Sequence, residues 1–496
     1  MERELKSRIR RPDLYSKIIS PQEAAALIKD GMHIGTSGFT PCGYPKAIPL
    51  AVADRVRKGE KLKLTLGTGA SVGRELDETW ATCGIIRRRY PYQTGKNINS
   101  LINEGKIDFT DIHLSQVARA LRAGILGRMD FAIVEGVAIT EEGGIVPSTS
   151  VGNAHVFVAE ARRVMVEVNI TQPPEMEGIH DIYPPSDALL RDPIPIKRGD
   201  ERIGLPYIPC SPEKIMAIVP SSIPDEARDL GTPNETTKAI ARNLVEFLIR
   251  EFGEDLPPLQ SGVGSLANAV LRGLLNGPWY CFSIWSEVIQ DAVLDMIDAG
   301  RVSFATGTSI SPSPERLKIF YQNLNRYRQK LILRPVEITN NPEIIRRLNL
   351  ISMNTVLEVD IYGNANSTQL FGTRMLNGIG GSGDFSRNAG LVIMMTPSIA
   401  QEGRVSCIVP HVAHIDHTEH ELHVLVTELG IADLRGKTPR ERAQVIIENC
   451  AHPDYRALLR DYFKRAIKTN TGHTPILLKE AFGWHIRYLE KGSMKP

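Results

Sequence analysis

Ser20-Pro21-Gln22-Glu23-Ala24-Ala25-Ala26-Leu27-Ile28-Lys29-Asp30-Gly31-Met32-His33-Ile34-Gly35 writes a helix and a strand into sixteen residues. Ser20 is followed by Glu23 at the third helical position, the reciprocal pair of a capping box, and Pro21 takes the first helical position, where no N–H is needed. Gly31 is a stop signal, and the apolar run after it is short enough to be a strand. The same punctuation recurs. Thr232-Pro233-Asn234-Glu235 opens a longer helix running to about Gly253, and Thr438-Pro439-Arg440-Glu441 opens one over Ala443 to Ile447. Between helices lie short runs rich in β-branched residues: 32–35, 62–66, 131–134, 164–168 and 216–219 in the first half, then 331–333, 406–409 and 424–426 in the second. Strands alternating with helices predict α/β architecture with mainly parallel sheets.

Residues 171–212 hold nine prolines, and another turn-rich stretch runs from Pro220 to Pro233. This break places a domain boundary near residue 225 and predicts two tandem α/β domains, 1–225 and 226–496. Each is long enough to bury its own core. Charged residues make up 23% and hydrophobic ones 42%, with a formal charge of +2, so composition gives no case for nucleic acid or an anionic membrane as partner. No apolar run approaches the roughly 20 residues of a membrane span. Met1 to Arg11 mixes acids with bases and lacks an apolar core, which argues against a secretory signal. Six scattered cysteines with no Cys-x-x-Cys pair suit reduced thiols in a cytoplasmic protein.

His411-Val412-Ala413-His414-Ile415-Asp416-His417-Thr418-Glu419-His420 gathers four histidines and two acids. Every third position is a histidine. On a helix at ~100° per residue they fan by ~60° steps, and on a strand they alternate faces, so neither regular element collects a ligand set. A polar connector between strands and a loop-built metal site both remain open.

Two glycine-rich turns carry more chemistry. Gln260-Ser261-Gly262-Val263-Gly264-Ser265 runs straight into an amphipathic helix, and Asn377-Gly378-Ile379-Gly380-Gly381-Ser382-Gly383-Asp384-Phe385 contains a weak Gly-x-Gly-x-x-Gly pattern. Such turns expose backbone N–H groups to phosphate or to a developing oxyanion, although either alone is also an ordinary tight turn. Between them, apolar residues at 288, 289, 292, 293, 296 and 297 mark one helical face ending at Gly300. That period puts Glu287 in the first helical turn, where the positive helix end favours a carboxylate.

With these residues in hand, the chain resembles the acetyl-CoA hydrolase/transferase family of class I CoA-transferases, essentially end to end. The resemblance is carried by Ser37-Gly38-Phe39-Thr40-Pro41, Thr68-Gly69-Ala70-Ser71, Pro91-Tyr92-Gln93-Thr94, the Gly262-Val263-Gly264 loop, Ser286-Glu287-Val288-Ile289-Gln290-Asp291, Ile338-Thr339-Asn340-Asn341-Pro342, Asn377 to Phe385, and Thr427-Glu428 with Gly430-Ile431-Ala432-Asp433. It implies two CoA-transferase-type domains, the second carrying the catalytic glutamate and glycine loops. It implies that Glu287 is a covalent nucleophile passing through a glutamyl anhydride and a glutamyl-CoA thioester, and that the N–H groups of Val263 and Gly381 form the oxyanion hole. Ser71, Thr94, Asn340 and Glu428 match positions lining the carboxylate and nucleophile site, with Gly262, Gly264 and Gly380 shaping the substrate loops. The implied reaction moves CoA between an acyl-CoA and a short-chain carboxylate, with succinyl-CoA and acetate the leading pair. Acyl-CoA hydrolysis and propionyl-CoA:succinate transfer are the alternatives, and a metal-dependent hydrolase is a remote one. Family members using succinyl-CoA and acetate carry a basic residue after Ala-Ile-Val, whereas Ala217-Ile218-Val219 here precedes Pro220, which leaves the acid pair open. The resemblance further implies no metal, no cofactor beyond coenzyme A as substrate, a homodimer, and the histidine segment as a connector.

Overall fold

The structure, a computed structural model, describes residues 2–186, 191–226 and 233–496. They group into two compact units: Met1–Asp229 with Ser283–Ile297 and Ser303–Leu348, and Leu230–Phe282 with Asp298–Val302 and Asn349–Pro496. The segments of Glu287 and Asn340 thus pack with the N-terminal unit.

In the first unit the strands are β1 (His33–Thr36), β2 (Leu64–Gly67), β3 (Ile86–Tyr90), β4 (Asp108–Phe109), β5 (Phe131–Ile139), β6 (Ile145–Pro147), β7 (Arg163–Asn169) and β8 (Ile215–Ser221). They are ordered β4-β3-β2-β1-β5-β7-β8, every neighbour parallel, with β6 added antiparallel to β5. The order reverses between β1 and β5, so the loops leaving β1 and β5 diverge at a topological switch point, the usual place for a ligand in such sheets. All residues of β1, β2 and β5 are buried, as expected of parallel strands covered on both faces. The Ser20 capping box forms as read: Glu23 accepts from the Ser20 N–H at 2.8 Å, and the Ser20 hydroxyl accepts from the Glu23 N–H at 3.2 Å. The helix it starts is short, Pro21–Ala26, and Gly31 turns the chain at φ +79° into β1.

In the second unit, Leu259–Ser261, Ile351–Thr355, Leu391–Met395 and Val424–Thr427 lie side by side and parallel, and Gly430–Asp433 folds back antiparallel on the last. The Thr438 capping box forms, opening Pro439–Cys450. Thr232 lies outside the described residues; the helix Glu235–Phe252 is capped by Asn234, whose side chain accepts from the Thr237 N–H at 2.9 Å. Among the described residues no helix is long and apolar enough to cross a membrane.

Candidate active site

Glu287 does not sit in a helical first turn. The helix begins at Asp291, and Glu287 occupies a bend between the strand Phe282–Trp285 and a two-residue strand, Val288–Ile289. Val288 and Ile289 pair in parallel with Ser309 and Ile310, so their apolar side chains, counted as the start of a helical stripe, are buried by strand pairing. The first-turn position expected from the apolar period is therefore not the one Glu287 occupies. Its carboxylate is set by a neighbour: the Asn340 amide donates to Glu287 Oε1 at 2.7 Å. Asn340 is fully buried and follows the short helix Val336–Thr339, and the Thr339 hydroxyl donates to Asn340 Oδ1 at 2.9 Å. That bond fixes which end of the amide faces the glutamate. Trp285 braces the same turn by donating from its indole to the Thr339 carbonyl at 2.7 Å.

A small apolar cluster joins the segments around this pair. Phe39, Ala70, Leu114, Val288 and Val336 pack together, with Tyr92 against them. Four of the six neighbour a predicted site residue: Ala70 precedes Ser71, Val288 follows Glu287, Val336 opens the turn of Asn340, and Tyr92 lies two before Thr94. Ser71 is buried, and its carbonyl accepts from the Thr40 N–H at 2.9 Å, whereas Thr94 is exposed ahead of the helix Lys96–Asn103.

The second unit carries both glycine loops and Glu428. Gly264 caps the helix Ser265–Leu274 with φ +119° and ψ 180°, a backbone state that only glycine adopts at low cost. The Gly262 N–H donates to the Met353 carbonyl at 2.9 Å, and Val263 at the loop tip is 43% exposed. In the other loop Gly380 is left-handed at φ +61°, and Gly381 caps the short helix Ser382–Ser386. Glu428 accepts from Ser398 through both its N–H, at 2.9 Å, and its hydroxyl.

The sequence matches the model of the acetyl-CoA hydrolase/transferase N-terminal domain over residues 2–220 and that of the C-terminal domain over residues 317–463. The chain belongs to the acetyl-CoA hydrolase/transferase family. It is therefore an enzyme of the CoA-transferase and hydrolase type. It is 50% identical to the succinyl-CoA:acetate CoA-transferase of Clostridium kluyveri, with 98% of this chain and 92% of that one covered. It is 45% identical to the acetyl-CoA hydrolase of Schizosaccharomyces pombe, covering 99% and 98%. The solved 4-hydroxybutyrate CoA-transferase of Porphyromonas gingivalis shares its fold, with a TM-score of 0.64, 23% identity, and 92% and 99% covered.

In this acetyl-CoA hydrolase/transferase family member the histidine segment is the connector between Ile408–Val409 and Val424–Thr427, and its polar groups go to separate partners. Asp416 accepts the N–H groups of Ser367 and Thr368 at 2.6 and 2.9 Å, and His414 reaches Asp416 at 3.2 Å. His417, fully buried, lies 3.2 Å from the Ser382 hydroxyl through Nε2 and 3.1 Å from that of Ser386 through Nδ1. Its two ring nitrogens hold both hydroxyls at once, and Glu421 lies 3.6 Å from Nδ1. The segment thus backs the second glycine loop, a role its spacing could not reveal. A polar trio does the same for the first loop: the Gln260 and Asn354 amides exchange hydrogen bonds at 3.1 and 3.0 Å, and Ser352 donates to Gln260 at 2.9 Å. His417→Ala is expected to lower stability by about 1–3 kcal/mol, the usual cost of stranding buried polar groups. It should also speed amide exchange across residues 379–386. Chemical denaturation and hydrogen exchange read both, and unchanged values would contradict the clamp.

Proposed function

We propose that the protein is a CoA-transferase that carries CoA on Glu287 between an acyl-CoA and a short-chain carboxylate, with succinyl-CoA and acetate as the pair. The observation that carries this reading is the Asn340–Glu287 contact. The Asn340 amide donates to Oε1 of this half-buried carboxylate and so orients it without neutralising it. The near full-length identity to a succinyl-CoA:acetate CoA-transferase supports the choice of acids. A carboxylate oxygen of Glu287 attacks the thioester carbonyl, the C–S bond breaks, and a mixed anhydride and CoA thiolate result. The thiolate then attacks the Glu287 carbonyl carbon, releasing the first acid and leaving a glutamyl-CoA thioester. The second acid attacks that thioester to form a new anhydride, and the thiolate takes the new acyl group and frees Glu287. Protons balance throughout, and CoA is a substrate, with neither metal nor further cofactor in the scheme. The N–H groups of Val263 and Gly381 are assigned to the oxyanion, and Ser71 and Thr94 to the entering carboxylate. Glu428, held by Ser398, is assigned an orienting role. A cytosolic homodimer goes with this reading.

A second reading, hydrolysis by the same glutamate with water as acceptor, is favoured by the 45% identity to an acetyl-CoA hydrolase over almost the whole chain. Succinyl-CoA offered acetate, propionate, butyrate or water, with product thioesters and free CoA quantified, separates the two. Transfer to acetate with parallel initial-velocity lines is the expected result, because the first acid leaves before the second binds. Intersecting lines, or CoA release that no acid suppresses, would contradict it.

A further inference from the structure

The backbone that holds Glu287 can be followed inward to a buried charge cluster. The N–H groups of Thr308 and Ser309 donate to the Glu287 carbonyl at 2.7 and 3.1 Å. Residues 149–152 grip that turn: Val151 N–H donates to the Thr308 carbonyl at 2.8 Å, Gly152 N–H to the Thr308 hydroxyl at 2.9 Å, and Ile310 N–H to the Thr149 carbonyl at 2.9 Å. On its other side, the Thr149 hydroxyl donates to Asp225 Oδ2 at 2.6 Å. Asp225 Oδ1 meets Lys46 Nζ at 2.8 Å and also accepts the Gly43 N–H at 3.1 Å.

Lys46 is fully buried and bonds Glu135 at 2.5 Å and the Tyr44 carbonyl at 2.7 Å. Burial disfavours its ammonium, yet Asp225 and Glu135 outweigh that and hold its pKa above the ordinary lysine value. Glu135 is tied in turn to Ser148 at 2.6 Å and Asn169 at 2.8 Å. A buried charge cluster of this kind is rigid, because moving any member strands another without water. The proposed transfer reaction uses none of these groups.

We propose that Thr149 is a positioning residue for Glu287, coupling the Lys46–Asp225–Glu135 cluster to the backbone segment that holds the glutamate. This rests on the reading of Glu287 as nucleophile. Thr149→Val keeps the shape and removes only the hydroxyl, and Gln172 still donates to Asp225 Oδ2 at 3.0 Å, so the carboxylate keeps a partner. Displacements near 1 Å at a reacting group can cost ~10²-fold, so a smaller shift is expected to lower kcat about tenfold. KM for the acyl-CoA should stay within about twofold, and glutamyl-CoA formation on Glu287 should slow in parallel. Thr149→Ser, which restores the hydroxyl, should restore the rate. Asp225→Asn, which offers Thr149 a donor in place of an acceptor, should show the same split of kcat from KM. Wild-type kcat and adduct rate in both Thr149→Val and Asp225→Asn, or equal impairment of Thr149→Val and Thr149→Ser, would overturn the proposal. A wild-type enzyme that forms no adduct on Glu287 would overturn the nucleophile reading and this proposal with it, whereas equal adduct rates in wild type and variants overturn this proposal alone.

Discussion

Glu287→Gln should lower CoA transfer by about 10⁴-fold or more, the scale of loss on removing a covalent nucleophile. The substitution is nearly isosteric. The Gln oxygen can still accept from the Asn340 amide, which stands 2.7 Å from Glu287 Oε1, so that contact is kept while the anion is lost. Binding of the acyl-CoA is expected to persist, which separates loss of chemistry from loss of fold. Single-turnover thioester exchange measures the first and calorimetric titration with CoA the second. A variant within tenfold of wild type would mean that another group carries the acyl chain.

Asn340→Asp should be the next most damaging change, because it replaces the donor to Glu287 with a second carboxylate at the same place. Two like charges ~4 Å apart in a half-buried site repel by roughly 4 kcal/mol, about 10³-fold in rate if all of it falls on the nucleophile. The sign with pH follows. A like-charged neighbour raises the pKa of the pair, so toward the acid end of the range the two share a proton and part of the damage is hidden. As pH rises both ionise and the deficit grows. Asn340→Ala removes the donor to Glu287 and the acceptor of the Thr339 hydroxyl without adding charge, with an expected cost of about tenfold to a hundredfold that stays flat with pH. Rates of both variants between pH 5.5 and 8.5 make the comparison. Parallel profiles would show that Asn340 acts through shape rather than charge.

Local signals wrote much of this fold plainly. Ser20 and Thr438 cap helices as their capping boxes require, and the runs near 33, 64, 131, 164 and 215 became one parallel sheet. These features were legible because each is decided within about five residues. The assignment at Glu287 failed for the opposite reason. Val288 and Ile289 satisfy a helical period and a strand equally well, and the choice was made by Ser309 and Ile310, some twenty residues on. His417 and the cluster of Lys46, Glu135 and Asp225 left no trace in the sequence, since Lys46 and Glu135 are 89 positions apart and meet only through the sheet. The glycines were legible as turns, and Gly264 and Gly380 do occupy positive φ. The polar supports beneath those turns were not, because Gln260 and Asn354 become neighbours only when their strands pair.

The most direct test of the account is to give the wild-type enzyme succinyl-CoA without an acceptor acid, trap with borohydride, and map the product by mass spectrometry. The predicted result is a CoA adduct on the intact chain and, after reduction, an alcohol at residue 287, absent from Glu287→Gln. An adduct mapped to Glu428, or succinyl-CoA turnover with no covalent intermediate at all, would contradict it.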